Sequence, residues 1–302
     1  MSPGVNGSGG PGSPAGSGSP GTVSGLLIGK TVLVTGSTKG FGAAIARRMA
    51  AEGANVVVTG RGAEAGHAVE ASIRAEGGSA TFVQADITDE AAVRDLVAAT
   101  VSAYGRLDGL VNNAMAMDEV GSSERPIVEL ETAGFEKIVR VGLYGLFWAT
   151  KYGIAAMLEN GADRPGGSVV NISSLAAVAG VPSLPAYSAC KGAMGALTRQ
   201  VAVDYGPQGI RVNTMVCGIV LADGLAAAVA EHPVAGAKMA EAQLTRYGTL
   251  DDIADMASFL VSDRSGFVNG AELRIDGGWT ATARFPNMVD LVLSDVAAAA
   301  QG

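Results

Sequence analysis

Thr31-Val-Leu-Val-Thr35-Gly36-Ser37-Thr38-Lys39-Gly40-Phe41-Gly42 is the stretch that decides how this chain folds. Thr31 to Thr35 is a run of β-branched and apolar residues, which reads as a strand buried on both faces. From Gly42 to Ala51 the pattern is helical. Between them glycines recur as Gly-x-x-x-Gly-x-Gly. That spacing lets the backbone turn tightly and approach a pyrophosphate resting on the helix N-terminus. Working outward, six more strand-like runs follow: Asn55 to Thr59, Phe82 to Ala85, Gly109 to Asn112, Ser168 to Ile172, Arg211 to Val216 and Ala271 to Ile275. Ala-rich helical segments separate them. Alternating strands and helices, joined by right-handed crossovers, predict an α/β fold. It is a single doubly wound Rossmann-type domain, a seven-stranded parallel sheet with helices on both faces.

The 302 residues, 48% of them hydrophobic, suffice for one large buried core. No internal repeat or second composition block divides the chain, so the domain is expected over residues 26–279. Residues 1–25 are rich in Gly, Ser and Pro. They cannot bury enough apolar surface to offset the entropy of ordering, so a disordered leader is expected. The leader lacks the charged start and apolar core of a secretory signal. Residues 280–302 are read as a C-terminal tail. A net charge of −8 and the absence of a basic run argue against a nucleic-acid partner. Cys190 and Cys217 form neither a disulfide framework nor a zinc spacing, and His67 and His232 stand apart, so no metal centre is expected. No apolar run is long enough to span a membrane. The composition suits the reducing cytoplasm.

Chemistry concentrates at Tyr187-Ser-Ala-Cys-Lys191, with Ser174 upstream in Asn171-Ile-Ser-Ser174. Residues four apart lie one above the other on a helix face. An ammonium beside a phenol favours the phenolate, which makes the tyrosine a usable proton donor or acceptor near neutral pH. The spacing alone is common; its neighbours in sequence give it weight. Thr35-Gly36-x-x-x-Gly40-x-Gly42, Asn112-Asn113-Ala114, Ser174, Tyr187-x-x-x-Lys191 and Asp276-Gly277-Gly278 occur in the order seen in short-chain dehydrogenases/reductases. The chain resembles that family, in particular its carbonyl- and ketoacyl-reductase-like members, over residues 26–279.

The resemblance implies hydride transfer between a nicotinamide and an alcohol or carbonyl. It implies that Ser174 hydrogen-bonds the substrate oxygen and that Tyr187 donates its proton during reduction. Lys191 would lower the tyrosine's pKa and hold the nicotinamide ribose. The implied cofactor contacts are Gly36, Ser37, Thr38, Lys39, Gly40, Phe41 and Gly42 in the loop, then Asn113, Ala114, Tyr187, Lys191, Gly218 and Val220. Asp86 and Ile87 resemble the adenine-contacting pair, although Asp86 equally suits a helix cap. Ser173 is an equally plausible hydroxyl by composition, but its spacing to Tyr187 is wrong for the family. A ribose 2′-hydroxyl is usually held by an acid after the second strand, whereas a 2′-phosphate needs positive charge. Here Thr59-Gly60-Arg61 carries no acid, Arg61 offers a planar fork, and Lys39 is a second cation at that corner. NADP(H) is therefore expected over NAD(H).

Several positions depart from the family pattern. Gly142 stands where an asparagine usually holds a proton-relay water, Met115 where a glycine is usual, Cys217 in place of a proline and Ala222 in place of a threonine. Another group carries the relay, or turnover is slow, or the chemistry differs; replacing Gly142 by Asn is expected to leave reduction equal or faster. Met115, Met117, Leu175, Leu184 and Leu221 make the expected substrate pocket mostly apolar. The Ala-rich segment over 225–242 is read as a mobile lid helix. The expectation is an NADPH-dependent oxidoreductase reducing a ketone or aldehyde of an apolar small molecule, or oxidising the corresponding alcohol. The alternatives are a non-redox isomerase, dehydratase or cyclase on the same scaffold, and a non-catalytic NADP-binding protein. Assembly as a homodimer or homotetramer is expected from the family alone.

Overall fold

The β-branched runs become β1 (Thr31–Val34), β2 (Asn55–Gly60), β3 (Ser79–Gln84), β4 (Gly109–Asn112), β5 (Gly167–Ser174), β6 (Ile210–Cys217) and β7 (Glu272–Ile275). They pair in parallel in the order β3-β2-β1-β4-β5-β6-β7. The computed structural model describes residues 25–241 and 243–281. Most of the expected leader and tail therefore lies outside the described residues. β3 begins three residues before the expected Phe82, because Ser79, Ala80 and Thr81 pair in register with Asn55, Val56 and Val57. Its polar first half hides that strand from an apolar-run reading.

Helices cover both faces. α1 (Gly40–Ala51), α2 (Ala63–Ala75) and α10 (Leu250–Val261) lie on one side. α3 (Glu90–Tyr104), α6 (Leu146–Leu158) and α7 (Pro185–Tyr205) lie on the other. The alternation of side chains along β1 explains the two layers. Val32 and Val34 pack with Ile45, Met49, Ile253 and Leu260. Leu33 packs oppositely with Val93, Leu96, Trp148 and Met157. Burying each such side chain stabilises the fold by roughly 1.5–3 kcal/mol relative to leaving it exposed.

The remaining helices surround the strand ends: α4 (Met117–Ser123), α5 (Thr132–Val139), α8 (Asp223–Glu231) and α9 (Pro233–Glu241). The expected lid is two helices, not one. They meet at His232, where Pro233 lacks the N–H a continuous helix needs and instead opens the second. One element has no counterpart in the sequence reading: Arg140–Gly145 is a π-helix between α5 and α6. Strand order reverses between β1 and β4, so a crevice opens at the strand C-termini there, the place where α/β sheets bind ligands. Among the described residues no helix is long and apolar enough to cross a membrane.

Candidate active site

The loop after β1 is held open by close packing behind it. Gly36 and Gly40 adopt positive φ of 62° and 55°, which favours glycine. A Cβ on Gly36 would lie 2.9 Å from Ala114 Cα, and one on Gly42 would lie 2.5 Å from Asn113 Nδ2. At Gly40 a Cβ would meet nothing within 4 Å, so the outer side of the loop is clear. Asn113 Nδ2 donates to the carbonyls of Thr35 and Gly36, both at 3.0 Å, stitching β4 to this loop. Ala43 N donates to Lys39 O, so the N–H groups of Gly40, Phe41 and Gly42 precede the first intrahelical bond of α1. A dinucleotide fits this cradle: open space, free donors and a helix N-terminus coincide there.

One expected loop contact needs correction. Ser37 is fully buried; its hydroxyl donates to Val34 O at 2.6 Å, and its N–H donates to Thr59 O at 3.0 Å. It joins β1 to β2 and has no donor left for a phosphate. The Phe41 side chain packs against the core, so only its backbone can face a ligand. Thr38 lies over Gly60, where a Cβ would come within 2.7 Å of Thr38 Cγ2. Lys39 and Arg61 are exposed, and neither has an ion-pair partner among the described residues. Asp86 is not a helix cap: Asp89 caps α3. Asp86 Oδ1 instead accepts from the Thr88 N–H and hydroxyl, each at 2.9 Å, in a local turn. Gly218 is forced by the neighbouring strand, since a Cβ would lie 2.6 Å from Asp276 Cα. Val220 is buried and bridges to Gly248.

β5 ends at Ser174, and α7 carries Tyr187 and Lys191 on successive turns beside it. Ser174 Oγ accepts from Ala176 N at 3.2 Å, which fixes the turn after β5. Ser173 differs from its neighbour: its hydroxyl is buried and donates to Lys191 O at 3.0 Å, a tie between β5 and α7. Lys191 Nζ is buried, donates to Ile172 O at 2.6 Å and lies 5.6 Å from the centroid of the Tyr187 ring. Burial depresses the Lys191 pKa to about 8. Burial raises the Tyr187 phenol above its ordinary value, while the Ser174 hydroxyl opposes that rise. The expected lowering of the phenol by Lys191 is therefore not seen, because the ammonium is directed at a backbone carbonyl and is itself disfavoured by desolvation. Burial also pushes the Cys190 thiol up to about 11 and the Cys217 thiol up to about 12.

The departures at Gly142 and Met115 turn out to be one feature. A Cβ on Gly142 would lie 2.9 Å from Met115 Sδ and 3.0 Å from both Cβ and Sγ of Cys190. Met115 packs with Ile138, Ala186 and Cys190. Its thioether fills the volume facing Gly142. The expected equal or faster reduction with Asn at Gly142 carries a steric condition: Met115 Sδ must shift and Cys190 must give way slightly.

The other expected pocket residues stand on separate segments that follow β4, β5 and β6 or precede α7. Met117 is exposed at the start of α4, Leu175 is buried, and Leu221 is half-buried after β6. A groove of about 610 Å³ runs between Pro126, the loop over 176–181 and the start of α7. Of the five expected residues Leu184 alone lines it, and it borders neither Ser174 nor Tyr187. Sequence reasoning passed over Glu124. It is 5% exposed, and its Oε1 accepts from the Tyr187 N–H at 2.6 Å. Nothing in its local pattern signalled this, since its partners are distant in sequence.

A family model described as enoyl-(acyl carrier protein) reductase matches residues 36–280. A 2,5-dichloro-2,5-cyclohexadiene-1,4-diol dehydrogenase of Sphingobium indicum is 40% identical, over 84% of this chain and 98% of its own. A 2-(S)-hydroxypropyl-CoM dehydrogenase of Xanthobacter autotrophicus is 34% identical, over 86% of this chain and 100% of its own. A crystal structure from Agrobacterium tumefaciens, assigned as a 2-deoxy-d-gluconate 3-dehydrogenase with bound NADP, superposes with a TM-score of 0.75. It is 32% identical and covers 85% of this chain and 98% of its own. With the dinucleotide cradle and the Ser174, Tyr187 and Lys191 cluster at one end of the sheet, these matches show that the chain belongs to the short-chain dehydrogenase/reductase family and is an NAD(P)-dependent oxidoreductase.

Proposed function

We propose that this enzyme interconverts a ketone or aldehyde and the corresponding alcohol of a mostly apolar small molecule, with NADP(H) as its preferred cofactor. The observation that carries the reading is the convergence of Ser174, Tyr187 and Lys191 beside the dinucleotide cradle. The bound nicotinamide supplies or accepts the hydride. Ser174 orients the substrate oxygen, and Tyr187 gives it a proton during reduction or takes one during oxidation. Lys191 holds the nicotinamide ribose, so cofactor binding would draw its ammonium toward the site. The raised pKa of Tyr187 keeps the phenol protonated, which suits a proton donor. The relatives' names, a diol dehydrogenase and a hydroxypropyl dehydrogenase, support chemistry at a carbon bearing a hydroxyl.

NADP(H) is favoured because β2 ends in Thr59-Gly60-Arg61 without an acid, and Arg61 and Lys39 are exposed cations free to meet a 2′-phosphate. The NADP-bound neighbour supports the same choice. A cofactor-binding protein without turnover is the second reading, favoured by the filled space at Gly142. NADPH and NADH oxidation with cyclohexanone and acetophenone, and NADP⁺ reduction with the matching alcohols, separate the two. Turnover faster with NADPH is expected, lost about 10²–10⁴-fold in Tyr187→Phe. The NADPH preference is expected to fall in Arg61→Ser. Tight NADPH binding with no turnover of any probe would sink the catalytic reading.

A further inference from the structure

We propose that Glu124 is a positioning residue whose buried carboxylate clamps the first turn of α7 and so fixes where the Tyr187 phenol stands. The inference rests on Tyr187 being the acid/base group. α7 starts without a local cap: Leu184 at its N-cap position offers no side-chain bond, and Pro185 has no N–H. Ala186 and Tyr187 therefore carry the first donors of the helix that need an acceptor. Glu124 supplies it from the segment after α4, with Oε1 2.6 Å from Tyr187 N and Oε2 3.4 Å from Ala186 N. The carboxylate has no cationic side-chain partner among the described residues, so the positive end of the helix dipole is its counter-charge.

The clamped atom explains why this acts on the chemistry. The Tyr187 amide is one bond from the Cα that bears the phenol, whereas Ser174 stands on β5. The Ser174–Tyr187 separation thus depends on how the start of α7 is seated against the sheet. Around the site α7 is pinned by Glu124 at the Tyr187 N–H, by Ser173 at the Lys191 carbonyl, 3.0 Å away, and by the Lys191 ammonium at Ile172 O. Without the first pin the helix start frays, and misplacement of a reacting group by about 1 Å lowers a rate about 10²-fold.

The test compares Glu124→Ala and Glu124→Gln with wild type and Tyr187→Phe, using the ketone that wild type reduces fastest among cyclohexanone and acetophenone. NADPH dissociation constants are measured alongside by fluorescence titration. The expected result is kcat lowered about 10- to 100-fold in Glu124→Ala, with NADPH affinity within about threefold of wild type. Glu124→Gln, which keeps one acceptor for the Tyr187 N–H, falls between the two. A wild-type kcat in Glu124→Ala overturns the proposal. If that variant does not fold, a wild-type kcat in Glu124→Gln overturns it. Equal losses in kcat and NADPH affinity also overturn it, because they show a role in folding alone. Undiminished turnover in Tyr187→Phe, or none in wild type, refutes the reading of Tyr187 instead.

Discussion

At the scale of single residues, burial decides the proton chemistry more than neighbouring charge does. Tyr187 and Lys191 were legible as a pair from their spacing, but the sequence implied that the ammonium eases ionisation of the phenol. In the fold both groups are desolvated, and each is pushed toward its neutral form. This has a consequence for stability. Lys191 titrates at 10.5 when unperturbed and at about 8 in the folded protein. Between those values the unfolded state binds more protons, so this residue makes stability rise with pH across the window. Below pH 8 the penalty is complete, about 3 kcal/mol. Lys191→Met removes it, together with a charge-assisted bond to Ile172 O that contributes about 1.5–3 kcal/mol while the amine is protonated. Relative to wild type, the cofactor-free Lys191→Met variant is therefore expected to lose about 3 kcal/mol of stability between pH 7 and pH 10.5. Urea unfolding at both pH values checks this; a stability difference that does not change with pH refutes it.

At the scale of elements, the glycine loop and the strand runs were readable because local rules govern them: φ at a tight turn, and β-branched residues on a doubly covered sheet. The π-helix over Arg140–Gly145 was not. It brings two buried glycines against different walls of the site. Gly142 faces Met115 and Cys190, and a Cβ on Gly145 would lie 2.7 Å from Ile87 Cδ1. A helix widened by one residue per turn allows such close approach, and π segments recur at functional sites. Because Met115 occupies the space facing Gly142, the two positions should be coupled. Gly142→Asn alone is expected to cost about 1–3 kcal/mol through overpacking. In a Met115→Gly background it should cost at least about 1 kcal/mol less. Unfolding free energies of the four proteins measure the coupling directly, and additive effects would show that the sulfur does not fill that space.

At the scale of the whole molecule, a chain of buried polar groups runs across the sheet beneath the site. Asn112 Nδ2 on β4 donates to Asn171 Oδ1 on β5 at 2.9 Å, and Asn171 Nδ2 donates to Thr198 Oγ1 on α7 at 2.8 Å. Thr198 in turn meets Thr214 on β6 at 2.7 Å. Asn171→Leu breaks two of these bonds and strands the remaining partners in the core, so a loss of about 2–4 kcal/mol is expected. Urea unfolding reads it, and a change under about 0.5 kcal/mol would mean that the network relaxes around the gap. By itself the sequence determined the sheet and helix layers and the glycine loop after β1, which depend on periodicity and glycine conformation, local properties of the chain. Ser174, Tyr187 and Lys191 were singled out by their match to a family's motif order, since their spacing alone is common. Only the tertiary structure decided that Ser37 is a strut, that Met115 fills the space at Gly142, that Lys191 is held by Ile172, and that Glu124 seats the start of α7. Those are contacts between segments far apart in the chain, set by how the layers close on one another, and no local pattern encodes them.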